Sequence, residues 1–221
     1  MKKTSKFLTL LVGIVVMFSG VAKADWSVGA DVVSRYVWRG TQFGDGVAAQ
    51  PWLSYTFPGI GVEVGAWGSY DLSDDDENEV DLYVTVPLGE NFSFTVTDYF
   101  FPSGGDDNYF DWSDDGGHVI ELGAGFEASN FSLMGAVNVS GDDDNSVYVE
   151  AGYTFCDNDI CTASLFAGAG DGQYTNGSDA AGDFDLVNVG VTASKDIFTA
   201  SYIVNPDLET SWLVLGVTLE P

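Results

Sequence analysis

Positive charge is nearly missing from this sequence. Seven Lys and Arg stand against 34 Asp and Glu in 221 residues. Four of those seven fall in the first 24 residues, so the rest of the chain holds Arg35, Arg39 and Lys195 against every acid, a net charge of −31. A surface so poor in bases cannot neutralise a row of phosphates, which excludes nucleic acid as a partner. Small cations are the natural company of such a chain. Histidine is limited to His118, and no zinc motif or nucleophile elbow is present, so no enzyme is expected. Cysteine is limited to Cys156 and Cys161, with CDNDIC between strand-like segments. In an oxidising compartment this spacing predicts a disulfide closing a turn, worth roughly 2 kcal/mol.

Long apolar runs are missing too, except at the start. Lys2, Lys3 and Lys6 precede an apolar run, Phe7 to Phe18, and Ala22-Lys23-Ala24 follows. This pattern predicts a secretory signal peptide over 1–24, cleaved before Asp25. The run is shorter than the roughly 20 residues of a membrane-spanning helix. For an exported chain, the remaining places are the periplasm, the medium, or a β-barrel in the bacterial outer membrane.

What the sequence has is alternation. Over 26–39, Trp26, Val28, Ala30, Val32, Tyr36 and Trp38 share one face, while Asp31, Arg35 and Arg39 share the other. Period two of this kind predicts half-buried strands. Twelve segments follow it: 26–39, 49–57, 60–72, 80–88, 91–101, 117–127, 131–140, 146–155, 161–170, 184–194, 197–204 and 211–219. Several reach the nine to eleven residues that a tilted strand needs to cross a bilayer.

The connections alternate as well. After even-numbered segments they are short, and after odd-numbered ones they are long or acidic, as in SDDDENE. In an up-and-down meander all odd connections lie at one end, which gathers 19 of the 34 acids there. Phe57, Phe92, Phe126, Phe131, Phe155 and Phe198 lie beside the short turns, where an aromatic girdle would meet a membrane interface. The predicted fold is therefore all-β: one antiparallel up-and-down transmembrane barrel of about twelve strands over 25–221. Its long acidic loops would be extracellular and its short turns periplasmic.

Four motifs carry a resemblance: SRYVWRGTQ at 34–42, VGAWGS at 64–69, EVDLYV at 79–84 and TDYFFPSG at 97–104. Together they resemble the TorF-type porin family of Gram-negative bacteria. The resemblance implies an outer-membrane barrel with a channel role and no defined substrate.

Twelve strands enclose a bore wider than the eight-stranded kind that side chains fill. Charged residues on the lipid face are costly, so the polar parity is assigned to the lumen: Asp31, Arg35, Arg39, Glu63, Ser69, Asp71, Asp81, Tyr83, Thr85, Glu121, Asn138 and Glu150. Arg35 and Arg39 are expected in the lumen, in structural ion pairs across it with, for example, Glu63, Asp71 or Asp81, or as the positive side of a constriction, with ordering of the first outer loop as the alternative for Arg39 near its strand end. The fifth connection, 102–116, holds Tyr109, Phe110 and Trp112 among acids and is a candidate to fold inward as a constriction or to form a cation-attracting aromatic patch, with a plain surface loop as the alternative. The acidic rim comprises Asp74, Asp75, Asp76, Glu77, Asp106, Asp107, Asp142, Asp143 and Asp144. Oxygen ligands suit Ca²⁺ or Mg²⁺, which makes Asp74, Asp76, Asp142 and Asp144 candidate weak ligands, although no EF-hand spacing is present.

The leading expectation is a passive, cation-preferring porin for small cationic or neutral solutes, in contact with outer-membrane lipid. A non-conducting barrel closed by its own side chains is the second. A soluble exported β-sandwich that binds a partner is the third.

Overall fold

The computed structural model describes residues 25–73, 78–102, 108–113, 116–175 and 184–221. The expected signal peptide and the acids Asp74–Asp75–Asp76–Glu77 and Asp106–Asp107 lie outside the described residues. The strands are β1 (Asp25–Val33), β2 (Tyr36–Trp38), β3 (Thr41–Phe43), β4 (Ala48–Thr56), β5 (Glu63–Asp71), β6 (Glu79–Leu88) and β7 (Phe92–Phe100). They continue with β8 (His118–Ala128), β9 (Phe131–Ser140), β10 (Val147–Asp157), β11 (Thr162–Gly170), β12 (Asp185–Lys195), β13 (Phe198–Asn205) and β14 (Thr210–Leu219). Only a 3₁₀ turn, Gly172–Tyr174, is helical among the described residues.

Twelve strands close into one antiparallel barrel in chain order, β4 through β14 with β1 completing the ring. The soluble sandwich is thereby set aside, because no second sheet covers the apolar face. That face stays open: Leu53, Leu82, Phe94, Leu133, Leu165, Tyr202 and Leu213 are all exposed. They alternate with inward residues along their strands, as the period-two pattern requires. The ring is sealed where β1 meets β14, from Ala30↔Leu219 to Val33↔Gly216. Asp31 bonds the Thr218 hydroxyl across that seam on the lumen side.

Large lumen rings are accommodated by wall glycines. A Cβ at Gly29, Gly65, Gly168 or Gly190 would collide with the ring of Trp52, Tyr83, Tyr148 or Phe166 respectively. These rings therefore lie flat over bare backbone, a packing that also fills the gap a glycine leaves in a strand. Three register shifts each add one residue to a strand, at Val139, Phe155 and Val187. Bulges of this kind re-aim neighbouring side chains.

One element departs from the simple meander. The first predicted segment, 26–39, is not a single strand. β1 ends at Val33, and Ser34 ties off the seam through hydrogen bonds with Leu215. The chain then turns inward as a separate two-stranded hairpin, β2–β3.

Candidate functional site

The hairpin has a two-residue tip, Arg39-Gly40, closed by the Trp38↔Thr41 pair. Both tip residues have positive φ, 48° at Arg39 and 79° at Gly40. A type I′ turn requires this, and it is the turn that matches strand twist. Glycine adopts the conformation freely, whereas arginine pays roughly 1–2 kcal/mol for it. Something must hold Arg39 there.

The tip is held on three sides. Gly40 sits against the β12 bulge, where a Cβ would collide with the Val187 carbonyl oxygen. The Gly40 carbonyl accepts from Asn205 Nδ2 at 2.9 Å. Arg39 is 1% exposed and forms a two-pronged ion pair with Glu121 of β8, Nη1 to Oε2 at 2.6 Å and Nη2 to Oε1 at 2.9 Å. Its guanidinium also bonds the Tyr174 hydroxyl and lies 4.4–5.1 Å from the ring centres of Trp38, Tyr148 and Tyr174. Glu121 takes a further hydrogen bond from Tyr99 at 3.1 Å. A planar fork among three aromatic faces is an environment for arginine and not for lysine.

Behind the tip the hairpin packs as a small core inside the bore. Tyr36 and Val37 are buried in a cluster with Val33, Ala48, Ile203 and Val214, flanked by Trp67, Phe166 and Trp212. Tyr36 meets Trp67 at 5.5 Å and Phe43 at 5.4 Å between ring centres. Val37 brings one face of the hairpin to β13 and β14, while Trp38 lies 5.5 Å from Tyr99 of β7. The bore is thus bridged wall to wall at the end where the long connections lie.

This placement corrects the reading of the arginines. Neither is a wall residue. Arg35 leads into the hairpin and bonds Gln42 Oε1 at 3.1 Å, and Arg39 is the plug's own tip. Its partner is Glu121 and not Glu63, Asp71 or Asp81. No break is legible at Ser34, because the apolar–polar alternation runs on through the turn.

The other lumen residues divide by partner. Glu63 accepts from Thr56 at 3.2 Å and Tyr83 at 3.1 Å. Glu150 bonds the Tyr148 hydroxyl and Asn188 Nδ2, the latter at 2.8 Å. Asp71 accepts from the Gly46 and Ser73 backbone N–H groups at 2.9 and 2.7 Å, which organises the first connection. Asp81 and Glu79 lie side by side on β6, buried and turned inward.

The described part of the fifth connection lies outside the bore. It folds outward over β7 and β8. His118 and Phe100 are cross-strand partners on the outer face, and His118 Nδ1 lies 2.8 Å from Asp98. Tyr109 donates to Asp98 at 2.6 Å, and its carbonyl lies 2.8 Å from His118 Nε2. Burial, then the bond to Asp98 and its negative charge, push the Tyr109 hydroxyl up to about 12. Trp112 stacks on His118 at 3.9 Å, while Phe110 remains 82% exposed. The polar pair Asp98–His118 draws the loop to this side.

The disulfide is also corrected. Cys156 and Cys161 sulfurs are 3.8 Å apart and both are free thiols. The turn is closed instead by Asn158, whose Oδ1 accepts from Ile160 and Cys161 N–H groups at 2.8 and 3.3 Å. The bulge at Phe155 sets the Cys156 side of the turn off register. Of the acidic rim, Asp142 accepts from Asn138, Ser146 and Asp144 at 2.8–3.1 Å, so its oxygens serve the loop itself. Among the described residues no group of three or more His, Cys, Asp or Glu side chains is placed to hold a metal ion.

The family model of Gcw_chp, described as a bacterial protein of unknown function, matches residues 19–214. The chain belongs to the Gcw_chp family. No curated protein matches it. In this Gcw_chp barrel the matched span takes in the hairpin, its receptor bulge at Val187, and Glu121, Tyr148 and Tyr174 around the guanidinium. Sequence reasoning placed Glu121 in the lumen but had no signal for its partner. Tyr174 was beyond its reach, because it comes from a connection that turns inward without any strand pattern.

Proposed function

We propose that this protein is an outer-membrane channel for small cations that is shut at rest by its own first connection. The observation that carries the reading is the burial of Arg39 at the tip of a hairpin seated inside the barrel. An always-open porin has no use for a strained turn locked across its bore.

Two further features support a bore behind the plug rather than a solid core. The rings of Trp52, Tyr83, Tyr148 and Phe166 lie flat on wall glycines instead of crossing the lumen. The hairpin and its lead-in also carry both arginines. When the hairpin leaves, it takes those positive charges away and bares Asp31, Glu63, Glu79, Asp81, Glu121 and Glu150. A lining of one sign attracts the opposite ion and repels its own. The exposed apolar outer face, the aromatics beside the short turns and the resemblance of about residues 31–104 to TorF-type porins favour the bacterial outer membrane, with the long connections outside.

A permanently sealed barrel is the second reading, favoured by the apolar packing of Val37 on Ile203 and Val214. Planar-bilayer recording separates the two. The native chain is expected to be silent or to open rarely at neutral pH. A variant with residues 35–43 replaced by a short Gly-Asn turn is expected to conduct, with cation preference under a KCl gradient. Steady porin-like current from the native chain would refute the closed resting state. Silence from a correctly folded hairpin-less variant would refute the channel.

A further inference from the structure

Glu79 and Asp81 are 4% and 7% exposed and face the lumen two residues apart on β6. Two residues apart on one face of a strand, their carboxyls are neighbours on the inner wall. Ionised carboxylates are acceptors only, so two of them can bond only with a proton between them. Without it they are like charges held together out of water. The cation nearest to them, Arg39, is already taken by Glu121.

This pair touches the plug. Tyr36 of β2 packs its ring on Trp67, the cross-strand neighbour of Asp81, at 5.5 Å between ring centres. The groups around the pair do little to neutralise it. From the hairpin it faces Tyr36 and the engaged Arg39. From β7 it faces Tyr99, and from β8 Glu121, while Asp98 adds negative charge from the outer side of the wall. β5 presents Ser69 and Trp67, both neutral. Asp81 Oδ1 has no hydrogen-bond partner.

We propose that Glu79 and Asp81 share one proton that holds the hairpin in the lumen, and that losing this proton as pH rises drives the hairpin out. This rests on the plugged-channel reading above. In the closed state the protonated carboxyl of one residue donates to the carboxylate of the other. When the proton leaves to solvent, two negative charges remain side by side in a low-dielectric bore. They separate by admitting water, and the route for water is the face covered by Tyr36. The channel is closed at low pH and opens as pH rises.

Hydrogen exchange of the refolded full chain in phosphatidylcholine vesicles tests this, read by mass spectrometry at residues 35–43 and corrected for the intrinsic pH dependence of exchange. Strands β8 and β9 serve as the internal reference. From pH 5 to 8.5, exchange in the hairpin should rise at least tenfold in the native chain. It should stay flat in Glu79→Gln, whose amide donates to Asp81 at every pH. Asp81→Asn is the second variant should the first not fold. A flat native profile, or an equal rise in both variants, overturns the proposal. So does opening by a chelator at pH 6, since that would put a metal ion between the carboxyls. Bilayer current recorded in parallel separates the two claims. A rise in exchange without current upholds the proton and fails the channel, whereas pH-dependent current with flat exchange fails the proton.

Discussion

Replacing Arg39 by alanine should unlock the barrel. Breaking a buried ion pair by removing one partner costs about 3–5 kcal/mol, because the other charge stays buried and unpaired. Part of that is recovered here. Glu121 keeps its hydrogen bond from Tyr99 at 3.1 Å, which leaves about 2–4 kcal/mol against the docked hairpin. At about 1.36 kcal/mol per decade, the ratio of open to closed should rise about 30- to 1,000-fold. Single-channel records of the refolded chain read this ratio as the fraction of time open. Arg39→Lys should fall between, since it keeps the charge but loses the fork that meets both Glu121 oxygens. A double-mutant cycle with Glu121→Gln should return a coupling of at least about 1 kcal/mol. An open fraction for Arg39→Ala within threefold of the native chain, with the barrel folded by heat-modifiable gel migration, would refute the assignment of Arg39 as the latch. Additive effects in the cycle would refute Glu121 as its partner.

Gly40→Ala should open the channel without touching any charge, because a Cβ there collides with the Val187 carbonyl oxygen and φ is 79°; unchanged conductance would show that the tip does not dock at the β12 bulge. Gly168→Ala should lower barrel stability by about 1–3 kcal/mol in urea titration, the usual cost of overpacking, since the new methyl meets the Tyr148 ring. Burial of Asp142 raises its carboxyl pKa, but bonds from Asn138, Ser146 and the Asp144 backbone outweigh burial and hold it below the usual range. Its contribution to loop 141–146 is therefore present above the ordinary carboxylate value and lost as pH falls through the lowered native one. Proteolytic nicking of that loop should increase below about pH 3–4, and Asp142→Ala should be nicked at neutral pH as well.

The wall of the barrel was legible residue by residue. Outward side chains are apolar and inward ones polar, so most strands announce their two faces, although the mixed pattern of β12, with its bulge at Val187, does not. For that reason Asp31, Glu63, Asp81, Tyr83, Glu121 and Glu150 could be assigned inward from parity alone. Strand ends were legible to within a few residues wherever a turn residue marked them, as at Gly89 and Ser129, both with positive φ. The hairpin was not legible, because its residues alternate in the same phase as β1. Nothing local distinguishes a strand that continues up the wall from one that turns into the bore. Arg39 at a turn position, in place of the usual Asn or Asp, was the one unusual mark. The side taken by the fifth connection was left open for a related reason. Aromatic residues among acids suit either side of a wall, and the choice was made by Asp98 and His118 on the outer face, whose pairing needs the β7–β8 register.

By itself the sequence determined the number of barrel strands, their order and which residues face outward, because a period of two is a local property and each strand repeats the same constraint. It also determined where the acid lies, since the connections alternate in length and charge. Only the tertiary structure decided what occupies the bore. That depends on whether residues far apart in the chain, Arg39 with Glu121 and Tyr174, Gly40 with Val187 and Asn205, meet at bonding distance, and such meetings are set by ring closure, shear and bulges rather than by any stretch of sequence.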